Sequence, residues 1–161
     1  MSQCKFQRAF LHPRYWVTWF GLGLLWLLVQ LPYPAIRVLG SRLGSASRHF
    51  LKRRESIARR NLELCFPNDT SAQREKMIKE NFKAIGMALL ETGIAWFWPD
   101  ERVRKWFDVE GLENLKEVQA QNRGVMVIGV HFMSLELGGR VMGLCQPMMA
   151  TYRPHNNLLM E

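Results

Sequence analysis

Of the four histidines in the chain, only His131 has an acidic residue five positions after it, Glu136. An imidazole with a pKa near ~6.5 is suited to taking a proton from an attacking alcohol at neutral pH. A carboxylate that accepts from one ring nitrogen fixes the tautomer. The other nitrogen then stays free as the base, and the carboxylate stabilises the imidazolium that forms. Such general-base catalysis on an alcohol is typically worth ~10²–10⁴-fold in rate.

Two elements are needed to place this pair. From Val125 to Val130 the residues are apolar and largely β-branched, with Gly124 before them and Gly129 among them, a composition that predicts a strand buried on both faces of a parallel sheet. His131 then falls at its carboxyl end, where open α/β sheets place their ligand sites. Ser134 is expected to cap a helix running through Met142, with Glu136 in its first turn, where the helix dipole favours a carboxylate. Spacing alone leaves open a bland alternative, a satisfied structural histidine at a strand end. Nucleotide binding finds no support, because Gly138-Gly139 lies inside a helical pattern and neither G-x-G-x-x-G nor a Walker sequence occurs. A metal held by His131, Glu136 and His155 is disfavoured, since no second histidine falls at helical ligand spacing.

Segments along the whole chain resemble the bacterial lipid A biosynthesis acyltransferases. They are His12-Pro-Arg-Tyr-Trp16, Gln30-Leu-Pro-Tyr-Pro34, Lys52-Arg-Arg-Glu-Ser56, Arg60-Asn-Leu-Glu-Leu-Cys-Phe-Pro67, Glu91-Thr-Gly93, Ala95-Trp-Phe-Trp-Pro99, the His131/Glu136 box and Tyr152-Arg-Pro154. Within that family the box and Gly143 to Asn157 look most like the branch that transfers palmitoleoyl chains, with the lauroyl-transferring branch close behind. The resemblance implies transfer of a fatty acyl group from an acyl carrier protein thioester to a hydroxyacyl chain of a Kdo-bearing lipid A precursor. It implies His131 as general base and Glu136 as its orienting partner. Arg153 rests on position and charge as a candidate for binding a phosphate or the carrier's pantetheine arm. The implied partners are the carrier, the lipid A precursor and inner-membrane lipids, with no nucleic acid and no cofactor.

Composition supports an anionic partner: the net charge is +8, which by itself admits a lipid head group, an acidic carrier or nucleic acid. Cys4, Cys65 and Cys145 form no C-x-x-C pair, which disfavours zinc, iron–sulfur and disulfide frameworks and suits a reducing, cytoplasmic setting. Tyr15 to Leu31 is apolar apart from Thr18, Gln30 and two glycines. As a helix it reaches about 25 Å, at the short end for a bilayer core of about 30 Å. Trp16, Trp19 and Tyr33 lie where interfacial anchors belong. Between Arg37 and Arg60 eight Lys/Arg residues face one acid, Glu55. The positive flank predicts that the downstream part is cytoplasmic, with the apolar segment either crossing the inner membrane or lying in its inner leaflet.

The expected organisation is therefore an anchor over 1–33 and the amino-terminal part of an acyltransferase domain over 34–161. The fold class is α/β, a membrane-anchored layered fold with helices followed by an incomplete, mainly parallel sheet. Ile36, Leu39, Leu43, Phe50 and Leu51 predict a membrane-surface helix, and Ile57 to Phe66 a short one stopped by Pro67. Thr70-Ser-Ala-Gln73 predicts a capping box opening a long helix with Met77, Ile78, Phe82, Ile85 and Leu89 on one stripe, ending at Pro99. The aromatics Trp96-Phe-Trp98 suit either core packing or acyl-chain and membrane contact. Trp106 to Glu110 and Met148 to Tyr152 are expected as strands flanking Val125 to Val130, with a connecting helix through Leu112, Leu115 and Val118. Members of the resembled family are roughly twice as long, so the chain is expected to be an amino-terminal fragment. An inactive, membrane-bound fragment that only binds lipid or a partner is the alternative from a different functional class.

Overall fold

The computed structural model describes residues 8–130 and 132–151. Two short 3-10 turns, Arg8–Leu11 and Pro13–Tyr15, lead into α1 (Trp16–Leu28), α2 (Tyr33–Phe50), α3 (Lys52–Cys65), α4 (Ser71–Phe97), α5 (Asp100–Trp106), α6 (Leu112–Ala120) and α7 (Leu135–Cys145). Among the described residues there is no strand, which corrects the expected α/β class. The segment expected as the central strand is irregular and open: Met126 is 87 % and Ile128 85 % exposed. A strand exists only through a ladder to a neighbour, and neither expected flanking strand forms among the described residues. Trp106 closes α5 instead, Phe107 to Val109 are irregular, and so are Met148 to Thr151.

The long helix α4 is the element on which the others pack. Its start follows the predicted capping box: the Thr70 hydroxyl accepts from the Gln73 backbone N–H, while the Gln73 side chain accepts from the Thr70 N–H. Its buried line is Ile78, Phe82, Gly86, Leu90 and Ile94. Ile78 and Phe82 are the members of the expected stripe that are buried, whereas Met77 and Leu89 are exposed and Gly86 and Leu90 carry the line onward. The departure beyond Phe82 comes from glycine. Gly40 and Gly44 of α2 lie directly against Gly86, and a Cβ at Gly44 would run into the Phe82 carbonyl. The two helices approach backbone to backbone, closer than side chains at the contact would allow.

Helix α1 packs on α4 by one side only. Leu25 and Val29 fill the space that a side chain at Gly93 would take, whereas Trp16, Phe20, Leu24 and Leu27, on the opposite side, are exposed. With 13 residues it reaches roughly 20 Å, short of a bilayer core of about 30 Å. The expected membrane-crossing helix has no counterpart here: no helix among the described residues is long and apolar enough to cross a membrane.

The aromatic run at the end of α4 divides by role. Trp98 is 2 % exposed, donates its indole N–H to the Val29 carbonyl at 2.6 Å and lies under the Arg102 guanidinium at 3.8 Å. Tyr33 packs edge-on against Trp98 and Phe107. Trp98 is thus core, whereas Trp96 is open to solvent. Arginines satisfy the carbonyls left over at three helix ends, where a cation also complements the dipole. Arg102 serves Gln30 and Leu31 after α1, Arg140 serves Ala95 and Trp98 at the end of α4, and Arg104 serves Leu144 in α7.

Candidate active site

His131 and Arg153 lie outside the described residues, as do His155 and Cys4. Glu136 is described, and its neighbourhood defines the site. The chain turns sharply ahead of α7: the Phe132 N–H donates to the Val130 carbonyl at 2.8 Å and the Leu135 N–H to the Phe132 carbonyl at 3.2 Å. Helix α7 then starts, with Glu136 in its first turn as expected. Ser134 stands at the N-cap, but its side chain makes no capping hydrogen bond. With φ −90° and ψ 21° it lacks the extended backbone that directs a hydroxyl back to the N2 and N3 amides.

Leu137 and Val141 are buried and fix α7 to the core cluster that contains Ile94, Ala95 and Trp98. Opposite them, Leu135, Glu136, Gly139 and Arg140 face a cleft of about 360 Å³, completed by Ala95 and Trp96 of α4 and by Met148 and Ala150 after α7. Glu136 and Arg140 bring charge to an otherwise apolar lining. Exposed Glu136 has neither a hydrogen bond nor an ion pair among the described residues, although Arg140 stands one turn on at the i,i+4 position where a Glu–Arg pair forms readily. Arg140 is engaged elsewhere: Nη1 donates to the Ala95 carbonyl at 2.9 Å, and Nη2 to the Trp98 carbonyl at 3.2 Å and to Asp100 at 2.5 Å. The cleft thus presents a carboxylate, without a partner among the described residues, at a helix N-terminus beside apolar and aromatic surface, suited to orienting a base or accepting a proton next to a hydrocarbon substituent.

The sequence reading singled out Glu136 and left Trp96 open between core packing and acyl-chain contact, but missed Arg140 and Asp100. A helical wheel places Arg140 beneath Glu136, and that signal was available; its engagement with Asp100 joins α7 to the start of α5, an element the sequence reading did not predict. Asp100-Glu101 in the first turn and Arg104-Lys105 in the last were the available signs of α5. Among the described residues no group of three His, Cys, Asp or Glu side chains could hold a metal ion.

Glu91, in the middle of α4, is half-buried, and burial raises its pKa above the usual carboxylate range. It does not line the cleft. Farther away, Arg48 and Arg59 each bridge Glu55 and Glu75, tying α2, α3 and α4 together. Hydrogen bonding from Arg48 foremost lowers the Glu55 pKa to about 2.

The family model for bacterial lipid A biosynthesis acyltransferases matches residues 3–161. The chain belongs to that family. It is 78 % identical over 159 residues to the lipid A biosynthesis palmitoleoyltransferase of Escherichia coli (strain K12), covering 99 % of this chain and 52 % of that protein. It is 53 % identical to the lipid A biosynthesis lauroyltransferase of the same strain, covering 98 % of this chain and 51 % of that protein, and 30 % identical to its myristoyltransferase, covering 86 % and 43 %. The chain spans about half the length of the curated relatives it matches. No solved structure matches it.

Proposed function

We propose that the protein transfers a fatty acyl group, palmitoleoyl by preference, from an acyl carrier protein thioester to a hydroxyl on the acyl chain of a Kdo-bearing lipid A precursor. The observation that carries this is Glu136, five residues after His131, without a partner among the described residues and opening onto a largely apolar cleft in a chain of this family. The greater identity to the palmitoleoyltransferase than to the lauroyltransferase supports the chain preference. In this mechanism His131 removes the proton from the acceptor hydroxyl as its oxygen attacks the thioester carbonyl. Glu136 orients the ring and stabilises the imidazolium; the C–S bond breaks, and the imidazolium returns the proton to the departing thiolate. Arg153 is proposed to bind an anionic group of donor or acceptor. The protein works at the cytoplasmic face of the inner membrane, where the carrier is available, with α1 lying in the interface. The one-sided packing of α1 on α4 supports this arrangement over a crossing.

The test is acyl transfer by the full-length product of the gene, with carrier thioesters of different chain length and the Kdo-bearing precursor. His131→Ala and Glu136→Ala should each cost orders of magnitude in rate, and the double variant little more, because base and orienter act as a unit. Arg153→Ala should raise KM more than it lowers kcat. Normal turnover by His131→Ala, at unchanged protein level, would return His131 to a structural role, and a lauroyl preference would move the chain to the sister specificity.

A further inference from the structure

We infer that Arg140 is a positioning residue that keeps Glu136 both placed and free, with Asp100 as its partner; this rests on the proposed role of Glu136. Three observations converge. Arg140 lies one helical turn beyond Glu136 on α7, and both border the same cleft. Its guanidinium holds two carbonyls at the end of α4, Ala95 and Trp98, and so fixes α7 against the helix that supplies Trp96 to that cleft. Asp100 takes up its charge at 2.5 Å, so the i,i+4 ion pair that Glu136 and Arg140 would otherwise form does not. A carboxylate paired with arginine is a weaker acceptor for an imidazolium; one left unpaired is available to it. Nε of Arg140 is buried without a partner among the described residues, a cost tolerated where the remaining nitrogens are committed to fixed acceptors. The same guanidinium thus does two things: it locks the helix and withholds its charge from Glu136.

The experiment is a double-mutant cycle in the full-length protein. Arg140→Ala should lower kcat by about 10²-fold, the order expected when a catalytic group is misplaced by about 1 Å, with KM changed less than threefold. Arg140→Lys keeps the charge but not the planar fork, and should recover part of that loss. In the Glu136→Ala background, Arg140→Ala should cost little further rate, while its effect on the melting temperature persists in full. Asp100→Asn should also lower kcat, through capture of Glu136 by the released guanidinium. That loss too should vanish when Glu136 is absent. If the Arg140 and Glu136 losses multiply, Arg140 serves stability alone and the inference fails while Glu136 keeps its role. If Glu136→Ala turns over normally, the role of Glu136 fails and the inference with it. Should Arg140→Ala not accumulate, the cycle is run with Arg140→Lys, and the same two outcomes decide.

Discussion

A half-buried carboxylate outside the cleft lining is a liability to folding unless something repays it. Glu91 is the case in point. Burial raises its pKa above the ordinary value, so at neutral pH the folded state carries a charge that the unfolded state carries more comfortably. The sign follows from linkage: the folded protein binds the proton more tightly, so the cost is present above the folded pKa and disappears as pH falls below the unfolded one. Glu91→Gln should therefore raise the melting temperature at pH 7, with an advantage that shrinks steadily toward pH 4. Equal melting at pH 7 would show that the carboxylate is compensated by a partner. The contrast with Glu55 shows why residue type alone could not have separated the two. Both are glutamates in helices; one meets Arg48 and Arg59 across a helix junction and is held at about 2, and the other meets mainly burial. The same limit applies at the cleft, where sequence spacing identified Glu136 but the absence of its pairing with Arg140 depends on Asp100, forty positions away in the chain.

At the scale of elements, helices with local signals were legible: the capping box at Thr70, the stop at Pro99, the connecting helix α6 and the first-turn place of Glu136 all follow from short-range chemistry. What was not legible depended on partners. Val125 to Val130 has the composition of a buried strand, yet composition supplies no ladder, and among the described residues nothing pairs with it. The stripe of α4 was legible at Ile78 and Phe82 and missed beyond them, because a hydrophobic count gives glycine no weight, whereas here Gly86 marks the closest approach of α2. Substitutions test that reading directly. Gly44→Ala forces a Cβ against the Phe82 backbone, where no side-chain rearrangement can relieve it, and should destabilise by about 1–3 kcal/mol or more. Gly21→Ala, in α1 with nothing nearby, should instead stabilise by about 0.5–1 kcal/mol through helix propensity. Urea melts of the two variants should move in opposite directions; a neutral Gly44→Ala would mean that α2 and α4 do not touch through their backbones.

Over the whole molecule the excess of basic charge divides into two populations, which changes what it says about partners. Arg48, Arg59, Arg74, Arg102, Arg104 and Arg140 are committed to internal carboxylates or carbonyls. Arg42, Arg53 and Arg54 are exposed with no partner among the described residues, and on the proposed function they are the groups left for anionic lipid or carrier. A membrane surface is the better match for the apolar side, since Trp16, Phe20, Leu24 and Leu27 form one exposed stripe on α1 while Leu25 and Val29 hold the other side to α4. On the proposed function, a helix held to α4 on one side and apolar and open on the other lies in the interface. Phe20→Lys with Leu24→Lys should leave the melting temperature unchanged, because both side chains are open to solvent. It should also weaken binding to vesicles of phosphatidylethanolamine and phosphatidylglycerol. Losing two apolar insertions costs about 3 kcal/mol or more, on the order of 10²-fold in partition. Removal of residues 1–33 should release the protein in the same way, and salt alone should not, since electrostatic attraction at the surface is screened while apolar insertion is not. Cosedimentation at low and high salt separates the contributions. Undiminished vesicle binding by the double lysine variant at high salt would mean that α1 is not the inserted surface, and release of the unaltered protein by salt alone would assign attachment to the free arginines.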